Sequence, residues 1–321
     1  MYLLDRPFRS FLRLAFFFFL ALITAHSSSA ASARQQTPAP SSDLSVLQTR
    51  ADHGDAVAQY RLAEIYLRRD SLPDYKKVIS LARASAAQGN ADGEFLLGYL
   101  YEHGQGVPKD YARAAENYRA AALKGHSNAA NNLASLYQQG HGVPKNFGLA
   151  FDWYLASAQH GNPMGQANLA SLYFTGVGIP HDYVLAAKWF RAAADLGFSA
   201  AQHDLGVFYF KGIGLPVDYS EAARWERLAA EQGDPNAQTD LAYLYETGKG
   251  VPLDYVAAYT WYTRAISAGD RSGSARRSSL SHLLTRKQLD EATALASAQS
   301  SRPPQQPNLS EVGTLSLLKD R

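Results

Sequence analysis

Residues 133–144 read Leu-Ala-Ser-Leu-Tyr-Gln-Gln-Gly-His-Gly-Val-Pro, and a related string returns every 36 residues along the chain. The proline that closes it marks the period, at Pro108, Pro144, Pro180, Pro216 and Pro252. A fixed period of this length is typical of repeat proteins, in which each repeat is one small supersecondary unit. The sequence therefore predicts an array of six units.

Each unit is predicted to contain two helices, because apolar residues recur at helical spacing and the glycines and prolines lie between the periodic stretches. In the first helix a leucine and a tyrosine four positions apart share one face, and a small residue follows the leucine. The leucines are Leu62, Leu97, Leu133, Leu169, Leu205 and Leu241, and the tyrosines are Tyr66, Tyr101, Tyr137, Tyr173, Tyr209 and Tyr245.

Aspartate and asparagine residues are predicted to cap the helices, since their side chains accept hydrogen bonds from the first free backbone N–H groups. The predicted caps of the second helices are Asp74, Asp110, Asn146, Asp182, Asp218 and Asp254. Those of the first helices are Asp55, Asn90, Asn162, Asp234 and Asp270.

A single helix pair cannot bury its apolar faces, whereas stacked pairs share one continuous core. The predicted fold is therefore all-α, an α/α superhelical solenoid of six helix-pair repeats with a C-terminal helical cap. The solenoid is placed at residues 43–299, with units at 54–88, 89–124, 125–160, 161–196, 197–232 and 233–268 and the cap at 269–299. The segment from Asp43 to His53 is predicted to be a helix that covers the first pair.

These residues resemble a known family. Leu133-Ala134-x-x-Tyr137-x-x-Gly140-x-Gly142-Val143-Pro144, followed by Trp153-Tyr154 and Gly161, is similar to the Sel-one-like repeat, a relative of the tetratricopeptide repeat. The resemblance covers roughly residues 43–299. It implies an α/α superhelix that serves as a scaffold or adaptor, often in signalling or at the bacterial envelope.

The N-terminal segment has the three-part layout of a secretory signal: Arg6, Arg9 and Arg13, then the apolar run 14–23, then Ala31-Ser32-Ala33. We expect a signal peptide at residues 1–33, cleaved after Ala33, and hence an exported protein, periplasmic or secreted, with no stable membrane span after cleavage. An uncleaved anchor is the alternative, although the apolar run is shorter than the roughly 20 residues of a membrane span. Residues 34–42 are expected to be a disordered linker and residues 300–321 a disordered tail.

Composition and motifs argue against several function classes. Without residues 1–33 the chain has 28 basic and 28 acidic residues, which gives no electrostatic case for nucleic acid. It has no cysteine, so a disulfide framework is excluded. Its nine histidines lack metal-ligand spacing, and its acidic residues read as helix caps and exposed charges. We therefore expect no enzyme, no cofactor and no metal site.

The remaining candidate for function is a face of the first helices that the repeat does not need for its own core. In tetratricopeptide-like solenoids the corresponding face lines the concave groove, and here its residues vary from unit to unit. Amide groups there can pair with a peptide backbone, and aromatic rings give contact area at low entropic cost. The candidate partner-binding residues are Tyr99, Asn128, Asn131, Ser135, Gln138, Phe174, His203, Phe210 and Tyr243.

A protein or peptide partner in the bacterial envelope is the leading hypothesis for this groove. An envelope glycan or peptidoglycan is the second, because amides and aromatic rings also suit sugars. A β-lactam or cell-wall hydrolase, an activity loosely associated with the family, is a third hypothesis, for which no catalytic motif speaks.

Overall fold

The computed structural model describes residues 40–68 and 74–300, and all the regular structure in that part of the chain is α-helical. The described residues divide into an N-terminal unit that ends at His160 and a C-terminal unit that begins at Gly161. The helices of the N-terminal unit are α1 (Pro40–Asp52), α2 (Ala56–Leu67), α3 (Tyr75–Ala87), α4 (Ala91–His103), α5 (Tyr111–Ala122), α6 (Ser127–Gln139) and α7 (Phe147–Gln159). Those of the C-terminal unit are α8 (Pro163–Thr175), α9 (Tyr183–Asp195), α10 (Ser199–Lys211), α11 (Tyr219–Glu231), α12 (Pro235–Thr247), α13 (Tyr255–Ser267), α14 (Ser274–Ser281) and α15 (Arg286–Ser300).

Within each unit, consecutive helices form antiparallel pairs and each pair stacks on the next. The pairs are α2/α3, α4/α5 and α6/α7 in the N-terminal unit and α8/α9, α10/α11 and α12/α13 in the C-terminal unit. Helix α1 packs against α2, and α14 and α15 pack against α13. The predicted all-α solenoid of six helix pairs is confirmed.

A hydrogen bond from a glutamine on a first helix to the end of the preceding helix recurs between stacked pairs. Gln202 Nε2 donates to the Ala194 carbonyl over 3.2 Å, and Gln238 Nε2 donates to the Ala230 carbonyl over 3.2 Å. Gln59 makes the same 3.2 Å bond to a carbonyl of α1. Helix α1 therefore takes the place of a second helix in front of the first pair.

The predicted leucine column forms the core. Each of its leucines is buried, and most have no exposed surface. The small residue after the leucine is needed where a ring packs on it, because a Cβ at Gly98 would lie 2.6 Å from the ring of Tyr118. A leucine side chain moved from water into such a core contributes about 2 kcal/mol.

The predicted caps of all six second helices are confirmed, as are Asp55, Asn90, Asn162 and Asp234 on first helices. Each such side chain contributes about 1 kcal/mol to its helix. The cap predicted at Asp270 is wrong. Helix α14 begins later, after Gly273, and Asp270 instead accepts hydrogen bonds from the Ser272 hydroxyl at 2.7 Å and the Thr239 hydroxyl at 2.8 Å.

In three of the loop motifs, at Gly142, Gly214 and Gly250, the second glycine is required because another backbone approaches it closely. At Gly250, with φ at +70°, a Cβ would lie 1.9 Å from the carbonyl oxygen of Tyr219. At Gly142 a Cβ would lie 2.2 Å from the carbonyl carbon of Tyr111. Any other residue would push neighbouring pairs of the same unit apart, so these loops are structural elements of the stack.

The expected signal peptide (1–33), most of the linker (34–42) and residues 301–321 lie outside the described residues. Helices α14 and α15 occupy the segment predicted to form the C-terminal cap. Among the described helices, none has the length and apolar character required to cross a membrane.

Candidate functional site

The side chains predicted to bind a partner all lie on first helices, but they differ in exposure. Tyr99, Asn128 and Asn131 are buried, with 5%, 9% and 4% of their surface exposed. The others are half-buried, namely Ser135, Gln138, Phe174, His203, Phe210 and Tyr243. The half-buried aromatic members lie in the C-terminal unit.

In the N-terminal unit the polar candidates are engaged within the protein. Gln138 Oε1 accepts a 2.8 Å hydrogen bond from the Tyr154 hydroxyl, and Ser135 Oγ accepts one of 2.7 Å from Gln139 Nε2. Asn131 Nδ2 donates to Asn132 Oδ1 over 3.2 Å. The bond to Gln138 joins α6 to α7, whereas the other two lie within α6, and sequence alone revealed none of these roles.

In the C-terminal unit three rings gather around one ammonium group. The Phe210 ring centroid lies 5.2 Å from that of Tyr219 and 6.0 Å from that of Tyr243. Lys249 Nζ lies 5.0, 5.1 and 5.7 Å from the centroids of Phe210, Tyr219 and Tyr243. The Arg276 guanidinium lies 4.8 Å from the Tyr243 ring. We call Phe210, Tyr219, Tyr243, Lys249 and Arg276 the aromatic patch.

The aromatic patch combines partly exposed rings with positive charge. Tyr219 is 37% exposed, and Arg276 is held in place by a 3.0 Å ion pair with Glu246. A cation over a ring face is attracted by the quadrupole of the ring, and the rings also offer apolar area to a ligand. Tyrosine and arginine are also the residues most enriched where protein interfaces derive their affinity.

A second group of side chains meets between α10, α11 and α12. His203 Nδ1 lies 3.0 Å from Glu226 Oε2 and 4.0 Å from Asp240 Oδ2. Glu226 and Asp240 are buried, at 1% and 7% exposure, and Glu226 Oε1 has no hydrogen-bond partner. We call His203, Glu226 and Asp240 the His203 cluster.

Burial dominates the electrostatics of the His203 cluster. Desolvation raises the pKa of Glu226 to about 8 and that of Asp240 to about 7, although the charge of His203 opposes both shifts. Neighbouring Asp204 is also raised by burial, to a pKa of about 7. For His203, burial disfavours the charged ring, but the charge and hydrogen bond of Glu226 outweigh it and raise the pKa. Acidic groups therefore outnumber the cations that the protein supplies at this point.

The prediction that the acidic residues are helix caps and exposed charges is wrong for Glu226 and Asp240, which are buried. The sequence analysis also did not predict that these two residues lie close to His203. A signal was present in the repeat itself. Counted at the 36-residue period, the position of Glu226 holds an aromatic residue in four other repeats, at Tyr118, Tyr154, Phe190 and Tyr262. A carboxylate within a buried aromatic column is a departure that the helix-pair fold does not require.

Comparison with family models matches the Sel1 repeat six times in succession, at residues 56–90, 91–126, 127–162, 163–198, 199–234 and 235–270. The chain belongs to the Sel1 repeat family. Proteins built from Sel1 repeats are generally non-catalytic scaffolds that mediate protein–protein interactions. A comparison with curated proteins gave no match.

Two solved Sel1-type structures are similar to this Sel1 repeat protein. A protective antigen present in uropathogenic Escherichia coli strains is 31% identical over 80% of this chain, with a TM-score of 0.71. The chain spans 56% of the length of that antigen. A Sel1 repeat protein from Oxalobacter formigenes is 32% identical over 62% of this chain and 85% of its own, with a TM-score of 0.57.

Proposed function

We propose that this protein is an exported Sel1-repeat scaffold that binds a protein or peptide partner of the bacterial envelope through the first-helix face of its C-terminal unit. The observation that carries the proposal is the aromatic patch. Its rings are partly exposed, and its ammonium and guanidinium groups lie against ring faces. No catalytic step is part of this proposal.

The chemistry of the patch favours a peptide segment in which a carboxylate side chain lies next to an apolar one. The carboxylate would pair with Lys249 or Arg276, and the apolar side chain would pack on Phe210 and Tyr243. Aromatic rings have few rotatable bonds, so they lose little conformational entropy when a partner is bound. Interface affinity concentrates in such residues, which supports one compact site rather than contact spread along all first helices.

The candidates in the N-terminal unit have a smaller part in this proposal. Tyr99, Asn128 and Asn131 are buried, and they offer a partner little surface. We expect substitution of these residues to affect the stability of the N-terminal unit more than binding.

The proposed function is tested by selecting peptides from a displayed random library on the purified protein and measuring the affinity of the selected peptides. We expect acidic peptides with apolar neighbours, and we expect Lys249→Ala and Tyr243→Ala each to weaken binding at least about tenfold. Lys145→Ala is the matched control, because Lys145 Nζ also lies over a ring, 4.8 Å from the Phe147 centroid, but in the N-terminal unit.

Binding that is unchanged in Lys249→Ala and Tyr243→Ala would remove the patch from the proposal. A protein that selects no peptide but sediments with purified peptidoglycan sacculi would replace the peptide partner with the glycan partner.

Export is the second part of the proposal, and it is supported by the basic, apolar and small-residue segments within residues 1–33. Mass spectrometry of the protein recovered from its native cells should find a chain that begins at Arg34. A mature chain that retains Met1 would contradict cleavage and would favour an anchored protein.

A further inference from the structure

The His203 cluster lies where the repeats of this chain otherwise place a buried aromatic ring. The side chains of Tyr118, Phe190 and Tyr262 have no exposed surface, and Tyr154 is 2% exposed. Glu226 occupies the equivalent position of α11 and is buried to the same degree. Because rings fill this position in other pairs, the helix-pair fold does not require a carboxylate there.

Where this column holds a tyrosine, the first helix of the same pair supplies an acceptor for its hydroxyl. The tyrosine hydroxyls donate to Glu102 at 2.5 Å, to Gln138 at 2.8 Å and to Glu246 at 2.7 Å. At the equivalent positions of α8 and α10 stand Phe174 and Phe210, which accept no such bond. Phe174 packs against the apolar cluster that contains Phe190, and an apolar residue would also suit the position of Glu226 next to Phe210.

Glu226 instead turns to polar groups on both neighbouring first helices. Its Oε2 lies 3.0 Å from His203 Nδ1 on α10, and that nitrogen lies 4.0 Å from Asp240 Oδ2 on α12. One donor atom from each of the three residues can be chosen so that all three atoms lie within 4.8 Å of one another. All three helices belong to the C-terminal unit.

The second oxygen of Glu226 marks the cluster as incomplete. Glu226 Oε1 is buried without a hydrogen-bond partner, although a buried carboxylate oxygen normally has one. It has this place because the neighbouring residue of α10 is Gly206, where a Cβ would lie 2.6 Å from it. A buried acceptor without a donor, next to a second carboxylate and an imidazole, points to a bound cation.

We propose that His203, Glu226 and Asp240 form a binding site for one Zn²⁺ ion. Imidazole nitrogen and carboxylate oxygen are both zinc ligands, at about 2.0–2.2 Å from the metal. Tetrahedral ligands at that radius lie roughly 3.4 Å apart, between the 3.0 and 4.0 Å separations of His203 Nδ1 from its two neighbours. A water molecule would occupy the fourth position. The His203 side chain is 16% exposed, so solvent can reach the site next to it.

The donor set favours Zn²⁺ over the common alkaline-earth ions. Calcium takes six to eight oxygen ligands, and magnesium requires near-ideal octahedral oxygen coordination. Three donors that include an imidazole match neither ion, whereas zinc binds with three protein ligands and one water. The divalent charge would also offset two carboxylates that burial otherwise leaves poorly compensated.

The site would join three successive helices, α10, α11 and α12, of one unit. A ligand bound to the folded chain raises its stability in proportion to the logarithm of ligand concentration over the dissociation constant. A bound ion would therefore stabilise the stacking of these two pairs next to Phe210 on α10, a residue of the aromatic patch.

The proposal is tested on the purified protein after dialysis against a chelator. Titration with Zn²⁺ in a calorimeter should show one ion bound per chain, and the melting temperature should rise as Zn²⁺ is added. His203→Asn should lower the Zn²⁺ affinity by about 100-fold or more, since even the loss of a group that only orients a ligand costs 10- to 100-fold. Binding of Ca²⁺ or Mg²⁺ in preference to Zn²⁺ would overturn the assignment.

A second variant, Glu226→Phe, removes a ligand and restores the aromatic column. It should remain helical by circular dichroism and melt at the same temperature with and without Zn²⁺. His282→Gln, which changes an exposed histidine of the same unit, should bind and respond as the unchanged protein does. A stoichiometry below one in the unchanged protein, or equal Zn²⁺ affinity in His203→Asn, would show that the three side chains do not form a metal site.

Discussion

The pair α6/α7 and the pair α10/α11 have the same backbone plan, and they carry very different residues at one buried position of their second helix. In the first pair Tyr154 fills that position with a ring and donates its hydroxyl to Gln138 across the pair. In the second pair Glu226 places a carboxylate there and meets His203. A ring stabilises by excluded water and close packing, whereas a buried carboxylate costs desolvation that only a partner can offset. The repeat fold thus accepts either a ring or a partnered carboxylate at this position, so the position can hold a functional group.

The largest effect is expected when the carboxylate is moved into the pair that lacks its partners. Tyr154→Glu removes a buried ring and its bond to Gln138, and the residue equivalent to His203 in this pair is Asn131, which cannot carry a positive charge. We expect the free energy of unfolding to fall by about 4 kcal/mol or more. Urea denaturation followed by circular dichroism measures it. A loss below about 1 kcal/mol would mean that this column accepts a buried carboxylate even without a histidine partner.

The reverse change, Glu226→Phe, should stabilise the metal-free protein. Replacing a complete buried ion pair by well-packed apolar groups is often neutral or stabilising by about 1–4 kcal/mol, whereas removing one partner is costly when the other stays charged. Here the charge of Glu226 is the main cause that raises the pKa of His203, so without Glu226 burial favours the neutral ring. Gly206 leaves room for a ring, as Gly98 does for Tyr118. Phe210 also occupies the position on α10 that Phe174 occupies on α8, in the pair that contains Phe190. The free energy of unfolding in chelator should rise, while a decrease would show that the His203 cluster contributes to the fold without a metal.

Alkaline pH should lower the stability of the protein through Tyr154 of the α6/α7 pair, and this effect can be measured without a substitution at Glu226. Burial holds the pKa of Tyr154 above its ordinary value of 10.0. Below pH 10 the residue is neutral in both folded and unfolded chains and contributes nothing to the pH dependence. Above pH 10 the unfolded chain loses the proton while the folded chain keeps it, so stability falls by about 1.4 kcal/mol per pH unit.

Urea denaturation between pH 10 and 11 measures this slope, and Tyr154→Phe is the control because it removes the proton and keeps the ring. The difference between the two slopes isolates Tyr154 from the other groups that titrate at that pH. Equal slopes would show that the Tyr154 hydroxyl ionises freely in the folded protein.

The fold could be predicted from the sequence because its determinants repeat. The leucine column, the aspartate caps and the two loop glycines each occur several times, so an accidental match at one position carries little weight. The cap expected at Asp270 was wrong for the same reason: there the repeat ends, and hydrogen bonds to Thr239 and Ser272 replace the capping role.

The candidate site was only partly predictable. Phe210 and Tyr243 stand on the predicted face, but Lys249, which joins them, comes from a loop and reaches them through the packing of α10 and α12. The His203 cluster draws on residues 14 and 23 positions apart on three helices, with no local spacing to reveal it. What the sequence does contain is the departure from the column at Glu226, visible only when the units are aligned on their period.

The smallest expected effect is that of Tyr154→Phe at neutral pH, and it measures what the polar end of the ring adds to the ring itself. The variant removes one hydrogen bond of 2.8 Å to Gln138 and leaves the apolar contacts of the ring in place. A neutral hydrogen bond contributes about 1 kcal/mol, and Gln138 is half-buried, so water can reach its freed oxygen. We expect a loss of about 1 kcal/mol by urea denaturation. Phe190 fills the same column of the α8/α9 pair without a hydroxyl. A much larger loss would therefore mean that the α6/α7 pair depends on the Tyr154 hydroxyl in a way that the α8/α9 pair does not depend on any such group.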